Sequence, residues 1–158
     1  MTNQRLIKIA KIFLRLSLSA AFLSAIADRF GLYGPPGTTG VSWGNWSHFL
    51  QFVAYLNWFV PKAVIPTLGI VETTIEFLLA VSLLLGFYPR IVAWASAGLL
   101  GLFALTMTFA LGIKAPLGYG VFTAVAAALL LGAVSSPQAE RIPYASRMAV
   151  AAEPVRTP

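Results

Sequence analysis

The sequence predicts an all-α integral membrane protein, a bundle of four transmembrane helices with an additional short interfacial helix in the first outer loop. Three observations lead there. Hydrophobic residues make up 58% of the 158-residue chain and charged residues only 10%, against about 25% charged in soluble domains. The charges are segregated, which leaves apolar windows close to the roughly 20 residues needed to cross a hydrocarbon core. Within those windows small residues recur every fourth position, a spacing that lets helix backbones approach closely.

The first span is placed at 7–30. Arg5, Lys8, Lys11 and Arg15 precede the apolar run Leu16–Ala27. A cleaved signal peptide would share the basic start and the small residues Ala25-Ile26-Ala27. The stripe Ser17, Ala21, Ala25 favours a retained, packed helix instead. Residues 31–47, GLYGPPGTTGVSWGNWS, are dense in Gly, Pro, Thr and Ser and read as a loop. An interfacial helix follows at 46–58, capped by Asn45 or Ser47. It is too short to span, and Trp43, Trp46 and Trp58 suit a membrane–water boundary. The second span runs over 64–88, with Pro66 in its first turn. The third is placed at 91–113, with Ala93, Ala97 and Gly101 on one face. The fourth covers 117–134, with Ala124, Ala128 and Gly132. Residues 135–158 read as a flexible cytoplasmic tail.

Four spans put both termini on one side. If that side is cytoplasmic, eight basic residues lie inside and three (Arg29, Lys62 and Lys114) lie outside, the bias expected of an inner-membrane protein. The net charge of +6 then reports topology and anionic lipid rather than nucleic acid. With no cysteine and a single histidine, His48, the chain by itself can hold neither an iron–sulfur cluster, a thiolate metal site nor a bis-histidine haem. No metal site and no resident cofactor are expected.

The residues most worth explaining are the charges inside the spans, because an ionised side chain there is costly and usually has a partner or a task. Glu72 and Glu76 lie four apart, on one helix face. Arg29 and Lys62 flank the outer loop and serve as depth markers. Arg15 precedes the first by 14 residues and Glu76 follows the second by 14, each about 21 Å along a helix. That count predicts an Arg15–Glu76 ion pair, with Glu72 the better partner if the second span begins at Pro66. Such a pair can be purely structural, or can line a ligand or proton site. Alternatively Arg15 snorkels to headgroups. Thr106 and Tyr119 are further candidates for a hydrogen bond to a ligand. Asp28, Arg29 and His48 are placed at the outer rim.

Arg15 in a small-residue-rich first span, Gly69 followed by Glu76 in the second, and Gly86-x-x-x-Arg90 at its end resemble the DoxX family. The outer loop GLYGPPGTTGVSWGNWSHF is similar to that of a bacterial subgroup of the family. The resemblance covers about residues 10–134. It implies a small four-helix protein of the bacterial inner membrane, with relatives linked to quinone-dependent oxidoreduction. Arg15, Glu76 and Arg90 would be the family's charged positions. Relatives that work with thiols differ from this chain, which has no cysteine.

Two functions follow as expectations. One is a subunit of a redox complex that interacts with a membrane quinone and exchanges electrons or protons with a partner enzyme. The other is a non-enzymatic anchor or assembly subunit, in contact with the bilayer and with other membrane or membrane-associated subunits. A small-solute or proton pathway is a third.

Overall fold

A computed structural model of the chain describes residues 3–135, and every regular element among them is helical. Helix α1 runs Asn3–Arg29, α2 Trp46–Leu56, α3 Ile65–Leu85, α4 Pro89–Leu111, α5 Lys114–Gly118 and α6 Val121–Val134, with a 3-10 turn at Lys62–Val64 before α3. Three of these, α1, α3 with its leading turn, and α4, are long and apolar enough to cross a membrane. This is a membrane protein. From residue 136 onward, the tail expected at 135–158 lies outside the described residues.

Helix ends fall where the chain chemistry breaks. Gly86 ends α3 in the left-handed region, φ 80°, which costs an L side chain about 1–2 kcal/mol. There the Gly86 and Phe87 amides both donate to the Ser82 carbonyl, closing the last turn. Pro89 then opens α4, as a residue without an N–H can do at a first turn. Asn45 caps α2 by accepting from the His48 amide at 2.9 Å. The span expected at 117–134 is divided. Gly120, at φ 68°, separates the five-residue α5 from the 14-residue α6. At 1.5 Å per residue α6 is about 21 Å long, short of a roughly 30 Å hydrocarbon core. Gly118 and Gly120 so close together were the sequence signal for that break.

Helices α1, α3, α4 and α6 share one core. Leu18 and Phe22 of α1, Leu79, Ala80 and Leu83 of α3, Ala93 and Ala97 of α4, and Ala128 and Leu131 of α6 form it. Four of these nine are alanines, so the helices approach closely and gain dispersion contacts rather than hydrophobic transfer, which lipid would supply equally. The alanine faces expected on α4 and α6 are buried at Ala93, Ala97, Ala128 and Gly132. On α1 the expected stripe is wrong. Ser17 and Ala21 are exposed, and Leu18, Ser19 and Phe22 make the buried face. Ser19 donates to the Ala80 carbonyl at 2.8 Å, which fixes how α1 and α3 lie together.

Helix α2 sits apart from that core. Phe49 and Val53 pack on Ile65, and Gly69 lets α2 come close: a Cβ there would stand 2.6 Å from Leu50 Cδ2.

Candidate functional site: a buried arginine between two glutamates

The C-terminal end of α1 lies against the middle of α3. The Arg29 side chain there reaches Glu72, Thr73 and Glu76, and α2 packs on the start of α3 at Ile65 and Gly69. At the junction the chain buries Arg29, only 2% exposed, and Glu76, also 2%.

Arg29 Nη1 donates to Thr73 Oγ1 at 2.7 Å and stands 2.7 Å from Glu76 Oε2. Its Nη2 lies 3.4 Å from Glu72 Oε1. The Phe49 ring covers the guanidinium at 4.0 Å, and the Trp43 ring lies 5.4 Å from it, so the charge is held edge-on by oxygens and face-on by aromatic rings. The Glu76 contact is ionic rather than a directed hydrogen bond. Glu76 Oε2 and Arg29 Nε are both buried with no hydrogen-bond partner among the described residues. Among those residues Arg29 is the one cation paired with the two glutamates. A single guanidinium balances a single carboxylate. The cluster therefore holds one more carboxyl than its guanidinium pairs with one-to-one.

Asp28, one residue before Arg29, performs a different task. Its carboxylate accepts from the backbone amides of Ser42, Trp43 and Gly44 at 2.8, 3.2 and 3.1 Å. The loop is thereby folded down over the end of α1, and Gly31 permits the approach because a Cβ there would lie 2.8 Å from the Gly44 carbonyl oxygen. Adjacent residues of α1 thus hold the loop and the α3 glutamates.

The Arg15–Glu76 pair expected from the sequence does not form. Arg15 Nε donates to the Leu83 carbonyl at 2.8 Å and Nη2 to the Leu84 carbonyl at 3.1 Å, which are orphan acceptors in the last turn of α3. These carbonyls are seven and eight residues beyond Glu76, about two helical turns away. The depth count failed because Arg29 is not a boundary marker: it lies buried beneath α2 and the loop. For the same reason Asp28 and Arg29 are not a rim. His48 is exposed, and its Nδ1 contacts Asn45 Oδ1 at 3.0 Å, beside the α2 cap.

The other candidates are not brought to the cluster. Thr106 turns its hydroxyl onto its own helix, toward the Leu102 and Phe103 carbonyls at 3.2 and 3.1 Å, and Tyr119 is 73% exposed. Glu72 and Glu76 do come together, around a cation that sequence reasoning had placed at the surface. Thr73, between them, was overlooked. Its signal was its position on the same stretch of α3 as the two glutamates.

No protein-family model, curated protein or solved structure matches the chain.

The residues behind the family resemblance nevertheless have local physical roles. Arg15 and Gly86 form one unit, since a Cβ on Gly86 would run into the Arg15 guanidinium. Gly69 admits α2, and Glu76 is the most deeply buried carboxylate of the cluster.

Proposed function

We propose that the chain is a DoxX-like subunit of a redox complex in the bacterial inner membrane, one that meets a membrane quinone and exchanges protons or electrons with a partner enzyme. In this reading α1, α3, α4 and α6 form a four-helix bundle in which α5 and α6 together make the fourth crossing, α2 is an interfacial helix at the outer face, and both termini are cytoplasmic. The observation that carries it is the buried Arg29–Glu72–Glu76 cluster. Two carboxyls around one guanidinium form a site that can hold and release a proton, which is what quinone reduction or quinol oxidation needs nearby. The redox centre belongs to the partner, because this chain has no cysteine and one exposed histidine.

A second reading, a non-enzymatic anchor or assembly subunit, is favoured by the mechanical role of the same residues. Arg29 ties α1 to α3 and lies against α2, while Asp28 ties down the loop. Both readings predict damage when the cluster is broken, so the test must look for a ligand. Native mass spectrometry of the protein extracted from its own membranes is expected to show a retained quinone, lost in a folded Glu76→Gln variant. A stoichiometric protein partner without any small molecule, unaffected by that change, would make the chain an anchor.

A further inference from the structure

Arg15 marks where the bundle ends on one side. Its guanidinium bonds the Leu83 and Leu84 carbonyls, in the last turn of α3, which stops at Leu85. Helices α1 and α3 run antiparallel, with Ser19 meeting Ala80 and Arg29 meeting Thr73. Residues 3–14 of α1 therefore continue past the end of α3, for about 18 Å. Residues 3–10 are all exposed.

The side chains of this projecting segment are sorted by face. Arg5, Lys8, Lys11 and Arg15 follow one another at spacings of three, three and four, which puts them on one side of the helix. Leu6, Ile9 and Phe13 lie roughly opposite and are 49%, 55% and 69% exposed. The chain has too little acid to neutralise the basic face. Of its five acidic residues, Asp28, Glu72 and Glu76 are committed at the far end of α1, to the loop amides and to Arg29. The other two, Glu140 and Glu153, share their stretch of sequence with Arg141, Arg147 and Arg156. The net counter-charge comes from outside the chain.

Helix length says what supplies it. Helix α1 is long and apolar enough to cross a membrane, and its 27 residues make about 40 Å of helix, against a hydrocarbon core of roughly 30 Å. Lys and Arg side chains avoid that core, so the surplus falls at their end, among the headgroups. An occupant there has to offer anionic groups beside apolar matter. A phospholipid surface offers both at once, whereas a soluble acidic partner would answer the cations and leave the apolar face wet.

We propose that the projecting segment of α1 is a docking surface for anionic phospholipid. Arg5, Lys8 and Lys11 gather the phosphate groups, while Leu6, Ile9 and Phe13 enter the boundary of the acyl chains. Arg15 joins this surface to the bundle, because it binds the end of α3. The proposal stands whether or not the protein meets a quinone.

The chain has no cysteine, so Ile9→Cys gives a single attachment point for a spin label. The full chain is reconstituted in vesicles of phosphatidylcholine alone and of phosphatidylcholine mixed with phosphatidylglycerol. Collision of the label with a water-soluble paramagnetic relaxant is then measured. Phosphatidylglycerol is expected to lower the collision rate at least about five-fold, the pull of one basic residue toward an anionic surface. Arg5→Gln combined with Lys8→Gln should return it to the phosphatidylcholine value, and both side chains are exposed, away from the bundle core. Lys114→Gln, at the opposite end of the bundle, should change nothing. Equal collision rates in the two lipids would overturn the proposal, and so would a lowered rate that survives the double substitution. Dipolar broadening between labels would place a second copy of the chain on this face and overturn it as well.

Discussion

Replacing Arg29 with Met removes the charge from the cluster while keeping most of the side-chain volume. Glu72 and Glu76 then face each other without their cation, Thr73 loses its donor, and the Phe49 ring loses the guanidinium 4.0 Å away. Breaking one side of a buried ion pair costs about 3–5 kcal/mol, and the ring contact adds about 0.5–2 kcal/mol. A loss of about 4 kcal/mol or more is expected, nearly a thousandfold in the folded-to-unfolded ratio. Arg15→Met is the control. It forfeits two bonds to α3 carbonyls, one of them exposed, and should cost about 2 kcal/mol. Reversible unfolding in mixed micelles, titrated with a denaturing detergent and followed by circular dichroism, measures both. Crossing each with Glu76→Gln separates them further. Arg29→Met should couple to Glu76→Gln by more than about 1.5 kcal/mol, while Arg15→Met should be additive with it within about 0.5 kcal/mol. Equal costs for the two arginines, with Arg15 the one coupled to Glu76, would refute the geometry of the cluster.

Three other outcomes follow from the same structure. Asp28→Ala removes the acceptor of three backbone amides, so hydrogen exchange at Ser42, Trp43 and Gly44 should accelerate at least about tenfold, the effect of some 1.4 kcal/mol, while amides in the middle of α4 stay protected. Gly86→Ala places a Cβ at positive φ and against Arg15, and should cost about 2 kcal/mol or more in the micelle titration. Gly69→Val should push α2 off α3 at a cost of about 1–3 kcal/mol, and the emission of Trp46 should shift as its packing changes.

Much of the fold was legible because membrane solvation leaves so few options. Backbone groups in lipid must pair within a helix, so the apolar windows at 64–88 and 91–113 could be assigned with ends close to the observed Ile65–Leu85 and Pro89–Leu111. The division at Gly120 was harder to see, since the apolar run continues through it and only a left-handed glycine breaks the helix. The face of α1 was misread for a related reason. Ser17, Ala21 and Ala25 have the spacing of a packing stripe, but Ser19 and Phe22 bind α3 through a carbonyl and a ring, which spacing alone does not encode. In the site, the two glutamates were recognisable from their cost in a membrane. Their partner was not, because counting depth from Arg29 assumed that a charge at a helix end meets water. Here a 16-residue connection between α1 and α2 folds back over that end. The clue lay in the adjacent Asp28, whose carboxylate binds that connection and closes it over Arg29.

In the proposed function the buried carboxyls take part in proton exchange with a quinone bound nearby, and redox-induced infrared difference spectroscopy on the protein with bound quinone reads that exchange. A carboxyl band that changes when quinone becomes quinol is expected, lost in Glu72→Gln or Glu76→Gln variants that still bind the ligand. A quinone signal with no carboxyl change, or one unaltered by both substitutions, would contradict it and leave the cluster as a staple between helices.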